Sequence, residues 1–195
     1  MQTDSGMTSM TIKKQWEERA KKEAVGEITN ISPNLFTMKA VSENYQDYKN
    51  PTFMIITSVC DFKCCREANV DESMCQNSPL MTQIPRDIPT DNIIYLYKRS
   101  MPICQGILFG GLEPMMQLNQ LYHFCKQFRD SGIEDDIVIY TGYYPEELNP
   151  HDMLLLISLK NVIIKFGRYI PNSTPRYDEV LGITLSSDNQ YAVKF

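Results

Sequence analysis

Cys60 and Cys64, separated by three residues, follow a strongly apolar run from Phe53 to Val59, and Cys75 comes next in Cys75-Gln76-Asn77. Three thiolates in one short segment have the donor chemistry of an iron–sulfur site. Three protein ligands leave one iron of a four-iron cluster free to bind a small molecule, whereas four favour plain electron transfer. Cys65 stands next to Cys64 and is the alternative third ligand. Adjacent cysteines project in different directions in most backbone conformations, which favours Cys75. Zinc is a further reading, but it usually takes four Cys or His ligands. His123 and His151 lie on helical segments far from this loop and read as packed or surface imidazoles. Cys125 falls on an apolar helix face and Cys104 has no partner at metal spacing, so both read as structural.

The elements that must position these residues alternate from residue 51 onward. Phe53 to Val59 reads as a buried strand. Thr90 caps a helix through roughly Ser100, although Ile93, Ile94 and Tyr95 would suit a strand as well. Gly106 to Gly110 is a second strand. Leu118, Leu121, Tyr122, Cys125 and Phe128 share one helix face, and Gly132 stands where a helix C-terminus expects glycine. Ile137 to Tyr140 is a third strand. Pro145 opens a helix with Glu146 and Glu147 in its first turn, and Val162 to Phe166 is a strand stopped by Gly167. This βαβαβ order implies an α/β fold, a mostly parallel sheet with flanking helices. Ligands then bind beyond the carboxyl ends of the strands. The cysteines, Gly110-Gly111-Leu112-Glu113-Pro114 and Thr141-Gly142-Tyr143 all fall there, after the first, second and third strands.

Residues 1 to about 50 read as polar, without strong β signals. Ile12, Trp16, Ala20 and Ala24 recur at helical spacing, giving a charged helix docked on the body by Trp16. The expected division is an N-terminal extension, 1–45, and a core domain, 46–195. A net charge of −5 argues against a broad phosphate-binding surface, so no nucleic-acid partner is expected. There is no long apolar run and no apolar leader, so no membrane partner is expected either. Six cysteines in a chain of this size, with no export signal visible, fit a reducing cytoplasm and metal binding.

With these motifs in view, the chain resembles the radical S-adenosylmethionine (SAM) superfamily, and within it the activating proteins of anaerobic ribonucleotide reductase. Phe109 to Pro114, FGGLEP, is similar to a Gly-Gly-Glu-Pro motif with Leu112 inserted. Tyr140 to Leu148, YTGYYPEEL, and Leu185 to Gln190, LSSDNQ, are also similar to segments of those proteins. The resemblance covers roughly residues 45 to 195. It departs at the third cysteine, where the family spacing C-x3-C-x2-C is widened by the polar segment Cys65 to Met74. Cys75-Gln76-Asn77-Ser78-Pro79 nevertheless resembles the family's sequence around that cysteine.

The resemblance implies a partial, open barrel of the radical SAM type. It implies a [4Fe–4S] cluster on Cys60, Cys64 and Cys75, and S-adenosyl-L-methionine held by Gly110, Gly111 and Glu113 with Met74 and Thr141 nearby. Reductive cleavage of SAM would then create a glycyl radical on a partner, an anaerobic glycyl-radical enzyme and foremost the ribonucleotide reductase. A flavodoxin-like or other one-electron donor is implied too, since no second cluster motif is present. The alternatives are a radical SAM enzyme acting on another peptide or small molecule, and a non-catalytic iron–sulfur or zinc protein.

Overall fold

A computed structural model describes residues 7–29 and 33–195. Apolar β-branched runs form a central parallel set of strands: β2 (Thr52–Thr57), β4 (Gly106–Gly110), β5 (Asp136–Tyr140) and β6 (Val162–Phe166). The last three are buried along most of their length, as parallel strands covered on both faces must be. Three antiparallel strands extend the sheet: β1 (Leu35–Asn44) and β3 (Arg86–Pro89) beside β2, and β9 (Tyr191–Lys194) beside β6. The seven-stranded order β3-β1-β2-β4-β5-β6-β9 has two free edges, so the sheet is open and not closed into a barrel.

Period-two alternation divides the core between the two faces. Ile107, Phe109, Ile137, Ile139, Ile164 and Phe166 face the helices α4 (Thr90–Ser100), α5 (Leu118–Asp130) and α6 (Pro150–Ile157). Leu108, Val138 and Ile163 face the opposite way. There they are covered by Tyr48, Leu181 and the hairpin β7 (Arg176–Asp178) and β8 (Ile183–Leu185).

The N-terminal helix α1 (Ser9–Ala20) buries Ile12 and Trp16 and docks on α6. The Trp16 ring stacks on Phe195 at 5.7 Å and its Nε1–H donates to the Pro145 carbonyl at 2.9 Å. The helix ends at Ala20, so Ala24 lies outside it. Beyond it, the buried Asp152 carboxylate accepts from the backbone N–H groups of Glu27 (2.9 Å) and Ile28 (3.1 Å), pinning the chain against α6.

Three local readings are corrected. The first fifty residues do hold a strand: β1 has ten residues and pairs with β2 in one sheet. Its alternation, Phe36 and Met38 inward against Thr37 and Lys39, is obscured by the polar composition of a strand near the edge. Thr90 is the first residue of α4, whose cap is Pro89 without a side-chain hydrogen bond. The helix wins over a strand there because Ile93, Ile94 and Tyr97 share one buried face. Pro145–Glu147 makes only one 3₁₀ turn; α6 starts later, where the Asn149 side chain accepts from His151 and Asp152 N–H and Pro150 takes the first position. The α5 reading holds, with Gly132 at φ +82° just past the helix end.

Candidate functional site

Because β2, β4, β5 and β6 are parallel, the loops leaving their carboxyl ends share one rim. After β2 the chain is tied to the loop after β4. Gln117 Oε1 accepts from Ser58 N (2.9 Å) and Ser58 Oγ (2.7 Å), and Glu113 N donates to the Val59 carbonyl at 2.9 Å. The cysteine loop then turns through Phe62, whose φ of +53° is a costly conformation for a side chain with a Cβ. The Phe62 ring is buried, which helps hold the turn, and its N–H donates to Cys60 Sγ at 3.3 Å. Helix α2 (Lys63–Glu67) follows and carries Cys64 and Cys65.

Glu113 is 6% exposed, and three hydrogen bonds hold its carboxylate. Its Oε1 accepts from Met115 N (3.0 Å) and Thr141 Oγ1 (2.7 Å), and its Oε2 accepts from Gly142 N (2.8 Å). Burial pushes its carboxyl up to about 7 against these three hydrogen bonds. With about four acceptor positions on a carboxylate, one on Oε2 stays free. Of the two glycines before it, Gly111 is required: its φ is +79° and a Cβ there would lie 2.9 Å from Ile56 Cγ2. A Cβ on Gly110 would meet only ordinary contacts.

Cys60, Asp61, Lys63, Cys64, Glu113, Gly142, Tyr143 and Arg168 line one cavity of about 30 Å³. The structure thus gathers two of the three sequence-identified cysteines with Glu113, and Thr141 stands directly behind that carboxylate. Cys75 follows a 3₁₀ turn, Glu72–Met74, is partly buried, and does not line the cavity. Met74 is 73% exposed on the same turn. Cys65 is buried, with its Sγ 4.0 Å from that of Cys64, closer than adjacency in the chain implied. Burial, and then the neighbouring Cys64 and Cys75, push its thiol up to about 11.

Thiolates are the donors that an iron–sulfur group takes. All six cysteines are free of disulfides, and four of them sit in or beside the loop after β2. Among the described residues no three Cys, His, Asp or Glu side chains are gathered tightly enough to share one metal ion. A cluster distributes its thiolates over several irons, so it makes no such demand. Burial raises the Cys60 thiol to about 12, so metal must displace its proton on binding. The residues fit a cluster by donor chemistry.

Two residues at the rim were missed in the sequence. Lys165 is 6% exposed, and its Nζ donates to the Gly167 carbonyl at 2.8 Å. Burial lowers it to about 8, while the charges of Glu113 and Cys64 act the other way. A lysine inside the apolar Val162-Ile163-Ile164-Lys165-Phe166 was the available signal. Arg168, 4% exposed, had none beyond its place after β6. His123 and His151 bond backbone carbonyls of Thr29 (2.7 Å) and Glu23 (3.0 Å), in line with structural roles.

Fold and rim define a mostly parallel α/β protein with a cysteine-rich cofactor site. Residues 52–191 match the 4Fe–4S single cluster domain, and the chain belongs to that family. The match begins with β2 and takes in all six cysteines, Glu113 and the loop after β5. No curated protein and no solved structure matches the chain. A 4Fe–4S cluster is therefore the cofactor the family assigns. No helix among the described residues is long and apolar enough to cross a membrane.

Proposed function

We propose that the chain is a radical SAM activase that generates a glycyl radical on an anaerobic ribonucleotide reductase. The observation that carries this reading is the buried Glu113 carboxylate, held by Thr141 and Gly142 in the same cavity as Cys60 and Cys64. A simple electron carrier has no need of a buried acid beside its cluster. An acid with one free acceptor position suits the ammonium of an amino-acid ligand.

In this reading Cys60, Cys64 and Cys75 hold the cluster, which supplies an electron and an open iron for reductive cleavage of S-adenosyl-L-methionine to methionine and a 5′-deoxyadenosyl radical. Glu113 orients the methionine end through its ammonium, and Thr141 and Gly142 keep the carboxylate aimed. Gly111 allows the backbone to turn closely past Ile56. The open sheet leaves room for a polypeptide loop bearing the target glycine. A flavodoxin-like donor supplies the electron. The exposed segment from Cys65 to Met74 is the place where the partner meets this rim.

Anaerobic reconstitution tests the reading. Dithionite and SAM yield 5′-deoxyadenosine, and addition of the reductase gives the doublet of a glycyl radical in electron paramagnetic resonance. A reduced cluster that forms no 5′-deoxyadenosine rejects the radical SAM assignment. 5′-Deoxyadenosine without a protein radical rejects only the partner.

Glu113→Ala is expected to keep the cluster and lose SAM affinity by roughly ten- to a hundredfold, the worth of about 1.5–3 kcal/mol for a charge-assisted hydrogen bond. Equilibrium binding of SAM to the reconstituted variant measures it. Unchanged affinity would mean that Leu112 has displaced the acid from the ligand.

A further inference from the structure

Four charged side chains from three rim loops meet at the edge of the cysteine cavity. Glu147, on the turn after β5, receives Arg168 Nη2 on its Oε1 at 2.5 Å, and Lys63 Nζ bonds the same oxygen. The other oxygen, Oε2, accepts from Tyr144 N at 2.8 Å. Arg168 Nε lies 3.0 Å from Glu67 Oε2, an ion pair without hydrogen-bond alignment. The guanidinium also stacks 4.9 Å from the Tyr144 ring centroid. Lys63 and Glu67 are the two ends of α2, and Cys64 lies between them.

We infer that Glu147 and Arg168 form a clasp that positions the cysteine loop for cluster capture. Helix α2 has only five residues, follows a strained turn at Phe62, and is too short to hold its own orientation. Both its ends are gripped instead, Lys63 by Glu147 and Glu67 by Arg168. Those two are joined to each other and carried on the loops that follow β5 and β6. The Cys64 thiol is thereby set over the rim before any iron arrives. A nearly buried guanidinium is a poor source of net stability, because desolvation offsets most of the attraction. Its value lies in the bidentate reach that joins two loops, which a lysine lacks. Glu67 also stands three residues after Cys64, one helix turn on, where it offers a carboxylate to Arg168 and no third thiol. The inference rests on the cluster assignment alone and is independent of what the cluster does.

Glu147→Gln, Arg168→Lys and Glu67→Gln, reconstituted anaerobically beside the unaltered chain, test the clasp. Iron release to a chelator is the readout, with the electron paramagnetic resonance spectrum of the reduced cluster as a second. Glu147→Gln is expected to release iron about tenfold faster and to broaden the spectrum, because Cys64 is no longer held in one orientation. Arg168→Lys should lie between it and the unaltered chain. Glu67→Gln, whose pair is charge without alignment, should release iron about threefold faster with an unchanged circular dichroism spectrum of the apoprotein. If Glu147→Gln fails to fold, Lys63→Gln breaks the same arm from its more exposed end. Release at the unaltered rate with an unaltered spectrum in Glu147→Gln or Lys63→Gln overturns the clasp. Complete failure of Glu67→Gln to bind iron also overturns it, since Glu67 would then be a ligand.

Discussion

Cys60→Ala, Cys64→Ala and Cys75→Ala are each expected to lose most of the iron from anaerobically reconstituted protein, and Cys65→Ala is expected to retain it. In the proposed assignment each of the three thiolates is the sole protein ligand of its iron, so removing one would leave an iron open to solvent. The structure supplies reasons for two of the assignments. Cys60 receives the Phe62 N–H at 3.3 Å, the kind of hydrogen bond that tunes a cluster ligand, and it faces Glu113 across the cavity with Cys64. Cys65 is 4% exposed on α2 and does not line that cavity, although its Sγ is 4.0 Å from that of Cys64. Iron and sulfide analysis of the four variants decides the matter. Iron lost from Cys65→Ala but kept by Cys75→Ala, in a cluster that still responds to SAM, would reverse the assignment of the third ligand. Iron kept by Cys64→Ala would show Cys65 substituting for it.

Trp16→Ala is expected to cost about 3–5 kcal/mol, the range for deleting a fully buried large aromatic side chain. Trp16 is 0% exposed, stacked on Phe195 and tilted against Phe166, so its loss opens a cavity between α1, α6 and β6. The Pro145 carbonyl loses its indole donor but keeps Arg19 Nη1 at 3.1 Å, so it is not orphaned. The cost is therefore mostly packing. Urea unfolding followed by circular dichroism measures it. A loss below about 1 kcal/mol, with faster proteolysis confined to residues 9–20, would show that α1 detaches by itself and contributes little to the body.

Some of the rim was legible residue by residue. The cysteine spacing, Gly111 before Glu113-Pro114, and Thr141-Gly142 each follow an apolar run, and a mostly parallel sheet brings such segments to one side. Local signals also sufficed for α5, whose apolar face and closing Gly132 agree. They failed where composition and packing disagreed. Strand β1 carries Thr37, Lys39 and the run Ser42-Glu43-Asn44 among its apolar residues, and its sheet neighbours on both sides hold it in place. Pro145 looked like a helix start, but Asn149 provides the cap that decides where α6 begins.

The donor chemistry can be read along the chain, because thiolates after a strand and an acid after the next are local facts about residue type and order. What surrounds them comes from the packed fold. It turned Glu113 into a buried acid held by the next loop, and it brought Lys165 and Arg168 from residues far along the chain to the cysteines. It also set Glu147 between Lys63 and Arg168. Glu147 alone meets partners 21 and 84 positions away, and such meetings depend on the order and register of parallel strands. Pairing of that kind is fixed by the global packing of the sheet, so no window of sequence carries it.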